Sequence, residues 1–259
     1  MKDFKSITSR ENPLIKLVSS LQKSASARRD SGLMALEGLR ICLDAAENGI
    51  VLEKLIISQS AREKRDERLS LLEKRALEGY ILPDSLFKKI GDTENPQGIM
   101  VLVKIPRADN AKINRCGKYA ALENVSDPSN LGAIARTAEA LGADGLIVSG
   151  GCDPYSPKTV RASMGTLLRL PVYTLSDFAA DLKQTGLSLY ACVPERSAES
   201  IAEVRFLPGS AVMIGNEANG LTEAAKAAAD RLVTIPMTGR AESLNAAAAA
   251  AIAIWEMMK

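Results

Sequence analysis

The segment Val233–Trp255, VTIPMTGRAESLNAAAAAAIAIW, is the stretch around which the rest of the chain is organised. A short β-branched run ends at Pro236, a glycine turn follows, and six consecutive alanines begin at Ala246. Ser243 stands where the N-cap of a helix is expected. A helix with so little side-chain bulk lets a backbone or a flat ligand lie close, and its N-terminus offers unpaired N–H groups and a positive dipole. The segment therefore predicts a strand, a polar loop and a helix start that suit a small polar ligand.

Histidine is absent from the whole chain of 259 residues, of which 46% are apolar and 25% are charged. This length allows one large or two small domains with a substantial core. The absence of histidine excludes Ser-His-Asp and Cys-His nucleophile systems and histidine-based zinc sites. An enzyme with this sequence must work through Arg, Lys, carboxylates, amides or a reactive cofactor, and we expect no metal site.

Cysteine spacing and hydropathy both indicate a cytoplasmic protein. The four cysteines lie far apart without a C-x-x-C pair, as expected of reduced thiols; they are Cys42, Cys116, Cys152 and Cys192. The N-terminus has no apolar core of signal-peptide length, and no segment approaches the ~20 apolar residues of a membrane span. We therefore expect no membrane partner.

The first 105 residues alternate between helical and strand patterns. Apolar residues recur at helical spacing from Asn12-Pro13 towards Arg28-Arg29. Strands are then predicted at residues 33–36, 55–57, 80–82 and 99–103, with helices at residues 42–48, 61–77 and after Pro83. Residues 1–105 are thus predicted to form a small α/β domain, and the segment 106–115, with its proline and polar residues, to be a linker.

Residues 116–259 alternate in the same way and form the second predicted domain. Strands are predicted at residues 119–122, 145–148, 187–192 and 211–214, and helices at residues 131–141, 158–164 and 221–229. This pattern predicts a mostly parallel sheet with helices on both faces and ligands beyond the C-terminal strand ends. No G-x-G-x-x-G follows a strand, and residues 215–220 lack the Lys-Ser/Thr of a P-loop. A dinucleotide dehydrogenase and an NTPase are therefore disfavoured.

Three polar segments lie at the predicted C-terminal ends of strands. They are ENVSDPSNLGAIAR at residues 123–136, MIGNEANGL at residues 213–221, and the segment from IPM to SLN at residues 235–245. Any one of them is explained by a capped helix start or a plain turn. In the first segment Arg136 follows Asn130 by six residues, which points it back towards the strand ends, where it can pair with a phosphate. In the second, Glu217 follows an apolar strand, where a carboxylate needs partners if it is buried.

Taken together and in this order, these segments resemble the signature motifs of the SpoU (TrmH-like) RNA 2′-O-ribose methyltransferases, in the SPOUT class of S-adenosylmethionine enzymes. The likeness extends over DPSNLGAIARTAEALGA, SPKTVRASMGTLLRLPV, IGNEANGL and IPMTGRAESLNAAAA. The segments ALEGLRICLDAAENG and TENPQGIMVLVK are similar to the family's small RNA-binding domain. The resemblance implies that the C-terminal domain is threaded into a trefoil knot, although chain connections in proteins almost never pass through loops. It also implies a homodimer.

By position in the motifs, the resemblance implies two groups of site residues. The cofactor group, with mainly backbone contacts, comprises Gly215, Ile235, Met237 and Leu244. The catalytic group comprises Asn130, Arg136, Glu217, Ser243 and Asn245. The implied reaction transfers a methyl group from S-adenosylmethionine to a ribose 2′-hydroxyl, preferentially of ribosomal RNA, and it requires no metal.

Arg136 is a poor base, because guanidinium deprotonates only above pH ~12. We expect it instead to position the adjacent phosphate and to stabilise negative charge that develops on the 2′-oxygen. The resemblance implies that the two asparagines orient Arg136 and that Ser243 caps the final helix. Glu217 would either pair with Arg136 or accept a proton.

RNA contacts are predicted at cations of the basic N-terminal region, where seven Lys or Arg stand against two acids up to Arg29, and in the segment SPKTVRASMGTLLRLPV. They are Lys5, Arg10, Lys16, Arg28, Arg29 and Arg161, with Arg169 nearby. A solvated helix face explains the N-terminal charges equally well. Two other functions stay open: the same chemistry on transfer RNA, and an RNA-binding scaffold that lacks catalysis.

Overall fold

The computed structural model describes residues 4–64 and 66–259 and divides the chain into two compact units. One unit comprises the chain up to Ile105 together with Tyr155–Leu168, and the other comprises Pro106–Pro154 and Arg169–Lys259. The sequence pattern predicts Tyr155–Leu168 within the C-terminal domain. Instead, Val160 and Leu168 are buried in the hydrophobic core of the N-terminal unit, because these apolar side chains pack with its sheet and helices.

The N-terminal unit contains a five-stranded sheet. Its strands are β1 (Phe4–Ser6), β2 (Leu33–Glu37), β3 (Leu52–Ser58), β4 (Ala76–Leu82) and β5 (Ile99–Lys104), in the order β1-β4-β3-β5-β2. The β1-β4 and β4-β3 pairs are parallel, and the β3-β5 and β5-β2 pairs are antiparallel. The sequence pattern indicates four of these strands but not β1, which is only three residues long.

Among the described residues, the α-helices before Pro106 are α1 (Pro13–Lys23), α2 (Ala25–Ser31), α3 (Leu39–Glu47), α4 (Gln59–Glu63), α5 (Leu69–Arg75) and α6 (Asp84–Ile90). The single helix predicted over residues 61–77 is wrong, since α4 and α5 are separate and Leu77 lies in β4. A local turn explains the break, because the Asp66 carboxylate accepts hydrogen bonds from both the backbone N–H and the Nε of Arg68.

The C-terminal unit contains a seven-stranded sheet in which every neighbouring pair is parallel. Its strands are β6 (Lys118–Glu123), β7 (Gly145–Ser149), β8 (Val172–Thr174), β9 (Ser188–Cys192), β10 (Glu199–Ser200), β11 (Ser210–Ile214) and β12 (Arg231–Thr234), in the order β10-β12-β9-β11-β6-β7-β8. The predicted parallel α/β architecture is confirmed. Because all strands run the same way, the loops after β6, β9, β11 and β12 open at one edge of the sheet.

The remaining helices are α7 (Pro128–Ala140), α8 (Pro157–Ala162, in the N-terminal unit), α9 (Phe178–Gln184), α10 (Glu223–Ala228) and α11 (Ala246–Met258). The alanine-rich α11 packs against α7, β6 and β11, with Ala250 and Ala253 fully buried. Its small side chains permit this close approach. The trefoil knot stays a prediction. Within the described part of the chain, no helix has the length and hydropathy needed to cross a membrane.

Candidate active site

A cavity of about 350 Å³ opens at the C-terminal ends of β9, β11 and β12, beside the start of α11. Its volume lies within the range of small-molecule sites in proteins. The lining includes all four residues of the predicted cofactor group, Gly215, Ile235, Met237 and Leu244. Two residues of the predicted catalytic group, Glu217 and Ser243, also line it. Most of the predicted site therefore borders one space.

Gly215 illustrates why this part of the lining is made of backbone. The loop that follows it closes on itself, because Asn216 and Gly220 exchange two backbone hydrogen bonds of 3.0 and 2.9 Å. A Cβ atom at position 215 would lie 2.1 Å from the backbone carbon of Gly220. No side chain fits there, so Gly215 is required for the closed loop that borders the cavity.

The Glu217 carboxylate joins the loop after β11 to the loop after β6. Its oxygens accept hydrogen bonds from the backbone N–H of Ser126 at 3.0 Å, the Ser126 hydroxyl at 2.8 Å and the backbone N–H of Asp127 at 3.0 Å. The side-chain amide of Asn130 donates a fourth, at 2.9 Å. The carboxylate therefore has the partners that its position at a strand end requires.

These hydrogen bonds also fix the charge of Glu217. Burial raises the pKa of the carboxyl, but the hydrogen bonds from Asn130 and from the backbone of Ser126 and Asp127 outweigh it and bring the pKa to about 2. Such a group stays ionised at neutral pH and is a poor proton acceptor. Its bonded partners are amides and a hydroxyl rather than Arg136. The geometry thus favours neither of the two roles implied for Glu217 and gives it a third, that of fastening two loops.

Asn130 extends the same network to the final helix. It is 7% exposed, and its Oδ1 accepts a hydrogen bond of 3.0 Å from the side-chain amide of Asn245. The Oδ1 of Asn245 in turn accepts from the backbone N–H groups of Ala247 and Ala248 at 2.9 and 3.3 Å. Asn245 is therefore the N-cap of α11.

The prediction that Ser243 caps this helix is wrong. The first helical residue is Ala246, so the cap falls on the residue immediately before it, Asn245. Ser243 lies instead in the exposed loop that borders the cavity. It is available to a ligand rather than committed to the helix.

Arg136 lies apart from this hydrogen-bonded group. It projects from the solvent-exposed face of α7 and does not line the cavity. Within residues 4–64 and 66–259, its side chain has no hydrogen-bond or ion-pair partner. The structure thus joins Asn130, Glu217 and Asn245 in one chain of hydrogen bonds and leaves the Arg136 guanidinium open to solvent.

Sequence reasoning assigned no role to Glu123, the last residue of β6. It is 5% exposed, and its carboxylate accepts from the backbone N–H of Thr222 at 2.8 Å and from the Thr222 hydroxyl at 2.7 Å. Thr222 is the N-cap of α10. A second link lies alongside, where the Asn216 side chain donates to the Asn124 carbonyl at 2.9 Å. The sequence gives the same indication for both glutamates, since each stands at the C-terminal end of an apolar strand, Glu123 as its last residue and Glu217 three residues beyond it.

The predicted RNA-binding cations differ in their availability. Lys5, Arg10, Lys16 and Arg29 are exposed in the N-terminal unit. The predicted RNA contact of Arg28 is wrong, because this side chain is only 4% exposed. Its guanidinium donates to the Leu21 carbonyl at 2.5 Å, so Arg28 stabilises the fold. Arg161 is half-buried and pairs with Asp92 at 2.6 Å. Arg169, in the C-terminal unit, donates to Glu139 at 2.9 Å.

Comparison with known families accounts for both parts of the chain. Residues 118–255 match the SpoU rRNA Methylase family, and residues 12–101 match the MRM3-like substrate binding domain. The chain belongs to the SpoU rRNA methylase family. It is accordingly an S-adenosylmethionine-dependent RNA 2′-O-methyltransferase, as the resemblance of its motifs predicts.

Relatives in this family match over nearly the whole chain. An uncharacterized tRNA/rRNA methyltransferase of Synechocystis is 30% identical over 98% of this chain and 93% of its own length. The 23S rRNA (guanosine(2553)-2′-O)-methyltransferase RlmP of Bacillus subtilis is 28% identical over 98% of this chain and 99% of its own. Among solved structures, the SpoU methyltransferase AviRb of Streptomyces viridochromogenes in complex with AdoMet is 27% identical, with a TM-score of 0.84 over 96% of this chain and 97% of that one.

The cavity fits S-adenosylmethionine in its chemistry. Apolar side chains, including Ile235 and Leu244, and backbone groups of the loop after β11 suit an adenine ring. Three carboxylates and one ammonium line the same space, namely Glu195, Glu217, Glu242 and Lys226. An excess of negative charge is complementary to a ligand that carries a sulfonium. No cluster of three metal-ligating His, Cys, Asp or Glu side chains occurs among the described residues.

Proposed function

We propose that this chain methylates a ribose 2′-hydroxyl of ribosomal RNA at the edge of the cavity described above. The observation that carries the proposal is the hydrogen-bonded chain Asn245–Asn130–Glu217, in which three motifs distant in sequence meet beside the residues of the cofactor group. In this proposal Gly215, Ile235, Met237 and Leu244 hold the cofactor. Asn130, Glu217 and Asn245 hold the loops that border it.

The bound cofactor supplies a methyl group already activated on a sulfonium. The protein therefore needs to align the 2′-oxygen rather than to form a covalent intermediate. Arg136 is the candidate for this task, since its guanidinium is exposed and open to a phosphate and to the 2′-oxygen. The proton of the 2′-hydroxyl would pass to solvent water, and this cation would stabilise the negative charge that develops on the oxygen. Ser243 lines the cavity and offers a hydroxyl to either ligand.

Ribosomal RNA is the proposed substrate because both domains have counterparts in relatives that act on it. RlmP of Bacillus subtilis, named as a 23S rRNA enzyme, spans 98% of this chain. The N-terminal unit would supply phosphate contacts through its exposed cations, Lys5, Arg10, Lys16 and Arg29. Such a substrate places the enzyme in the cytoplasm, which is part of the proposal.

A homodimer is also part of the proposal. The helix α11 exposes Ala248, Ile252 and Trp255, which are spaced as one helical stripe. Ile252 is 37% exposed and Trp255 53%, although large apolar side chains usually avoid solvent. A second copy of this chain packed on this stripe would cover it, next to the loop that α11 shares with the cavity.

The proposal is tested by methyl transfer from radiolabelled S-adenosylmethionine to purified ribosomal RNA, ribosomal subunits and transfer RNA, with the Arg136→Ala variant as the inactive control. Mass spectrometric mapping of ribose methylation, in cells with and without the protein, identifies the nucleotide. We expect one 2′-O-methyl group in ribosomal RNA to depend on the protein. Incorporation into transfer RNA alone would replace the proposed substrate, and RNA binding without incorporation would leave only a scaffold.

A further inference from the structure

An ion pair lines the cavity on the side away from Glu217. The Nζ of Lys226, in α10, lies 3.0 Å from Oε1 of Glu195, in the loop between β9 and β10. Both residues line the cavity. Strand β11 separates β9 from β6, whose loop is fastened to Glu217. At ~4.8 Å between neighbouring strands, the ends of β9 and β6 are about 10 Å apart. The two polar sites therefore face different parts of a bound ligand.

The charge around Lys226 limits what binds there. Its ammonium contacts a second carboxylate, that of Glu223, at 3.1 Å. The hydrogen bond to Glu195, and to a smaller extent the one to Glu223, raise the pKa of the Lys226 ammonium, so this group is protonated at neutral pH. Two carboxylates and one ammonium sum to one negative charge. Such a group disfavours an incoming carboxylate and leaves carboxylate oxygens that can accept hydrogen bonds from a ligand.

The Glu195 carboxylate has acceptor capacity to spare. A carboxylate has about four acceptor positions, and the hydrogen bond from Lys226 uses one of them, on Oε1. Of the two lining carboxylates that are not hydrogen-bonded to the loop after β6, Glu195 is held in place by the ion pair with Lys226, whereas Glu242 is exposed in the loop before α11. A carboxylate fixed in advance gives up less conformational freedom when a ligand binds. It is therefore the better placed of the two to read a neutral pair of hydroxyl groups.

We propose that Glu195 recognises the ribose of the cofactor, by accepting hydrogen bonds from its 2′- and 3′-hydroxyls, and that Lys226 is the positioning residue that holds Glu195. The amino-acid end of the cofactor would then lie elsewhere, because the ribose hydroxyls would occupy the free acceptor positions of Glu195. Acidic side chains at strand ends read ribose hydroxyls in other nucleotide sites. This inference rests on the proposed assignment of the cavity to the cofactor.

Titration calorimetry with S-adenosylhomocysteine and its 2′,3′-dideoxy analogue tests the inference by binding alone. We expect the unchanged protein to bind the dideoxy analogue at least tenfold more weakly, since hydrogen bonds to a charged acceptor are lost. Glu195→Ala should reduce the ratio of the two affinities, for S-adenosylhomocysteine and for the dideoxy analogue, to within about twofold. Lys226→Met should reduce the affinity ratio partly, whereas Lys226→Arg, which keeps a cation beside Glu195, should retain it. Glu223→Ala is the matched control, because it removes a carboxylate from Lys226 without altering the lining, and it should keep the full ratio.

Two outcomes would overturn the assignment of Glu195 to the ribose. One is an unchanged ratio in Glu195→Ala. The other is that the unchanged protein binds S-adenosylhomocysteine more tightly than an analogue without the carboxylate, and Glu195→Ala binds the two equally. That result would place the amino-acid end of the cofactor at this ion pair. Leu244→Arg separates this question from the site itself. If that variant binds S-adenosylhomocysteine as well as the unchanged protein, the cavity is not the cofactor site, and the proposed function fails with it.

Discussion

The side-chain amide of Asn245 donates to Oδ1 of Asn130 over 3.0 Å, although 115 residues separate the two. Asn130 passes the connection on to Glu217, 87 residues away, through its own amide. Both ends of the Asn130 side chain are thus occupied, one as acceptor and one as donor. The starts of α7 and α11 and the loop after β11 are therefore one hydrogen-bonded assembly, and a change at Asn130 disturbs all three.

Asn130→Asp should abolish methyl transfer and weaken the binding of S-adenosylhomocysteine. The substitution replaces the donor that faces Glu217 by a second carboxylate at about the same distance, and like charges so close repel each other. We expect the melting temperature to fall by several degrees, equivalent to about 1–3 kcal/mol. Calorimetric binding and thermal unfolding measure both effects.

The double variant Asn130→Asp with Glu217→Gln reverses donor and acceptor at this contact and is the matched control. The new glutamine amide can donate to the new aspartate, so part of the lost stability should return. Full recovery is not expected, because one glutamine oxygen must replace two that accept from Ser126 and Asp127. Strictly additive losses in the double variant would show that the contact between positions 130 and 217 carries no coupling.

Arg136→Ala should lower the methylation rate by a factor of 100 or more and leave the affinity for S-adenosylhomocysteine within about twofold. The side chain is exposed and lies outside the cavity lining, so its removal should not change the melting temperature. Single-turnover methylation and calorimetry on the same preparation provide the comparison. Arg205→Ala, an exposed arginine of the same unit, should leave the rate unchanged. Turnover at the normal rate in Arg136→Ala would remove this arginine from the mechanism.

Local patterns in the sequence were enough to predict most of the architecture, but not the partners of individual side chains. Long apolar runs such as β5 and β11 have no alternative to burial, and Asp127 ahead of Pro128 is an ordinary helix start. Strands as short as β1 and β8 contain too few residues to form a pattern. Their existence depends on pairing with distant segments.

The same limit applies within the site. Ser243 and Asn245 are both good N-cap residues two positions apart, and only the packing of α11 decides between them. Arg28 and Arg29 are adjacent and chemically identical, yet α2 buries the first and exposes the second. Periodicity also gave no reason to separate Tyr155–Leu168 from its flanking segments. The assignment of this segment to the N-terminal unit depends on the burial of Val160 and Leu168 in the hydrophobic core of that unit.

Methyl transfer should show no titration of Glu217 between pH 5 and 8. Its pKa in the folded protein is about 2, below the ordinary value of 4.5. A lowered pKa means that the carboxylate stabilises the fold fully above the ordinary value, and that this contribution is lost as pH falls from about 4.5 towards 2. The melting temperature of the unchanged protein should therefore approach that of Glu217→Gln over this acidic range. A difference between the two proteins that stays constant down to pH 2 would contradict the lowered pKa.

Arg28→Met and Arg29→Met should separate stability from RNA binding. Arg28 is buried and donates to the Leu21 carbonyl, so its loss should destabilise the fold by about 1–3 kcal/mol. Arg29 is exposed, so its loss should leave stability unchanged and weaken RNA binding. If Arg29 contacts one phosphate, the slope of log affinity against log salt should become shallower by about 0.7–0.9. An identical slope in Arg29→Met would exclude a phosphate contact. Deleting residues 1–105 would be a less informative test of RNA binding. The deletion would remove the hydrophobic core in which Val160 and Leu168 are buried, and would expose both side chains.

Trp255→Glu should convert the proposed homodimer to a monomer. Trp255 is 53% exposed on the stripe of α11, so a charge there costs little in the isolated chain but a great deal in an apolar interface. Light scattering during size-exclusion chromatography should report the mass of the dimer for the unchanged protein and of one 27.6 kDa chain for the variant. Leu207→Glu is the matched control, since Leu207 is 52% exposed in the same unit but lies in the loop before β11. A Trp255→Glu protein that still has the mass of a dimer would show that the stripe is not the interface, and the dimer would then have to use another surface.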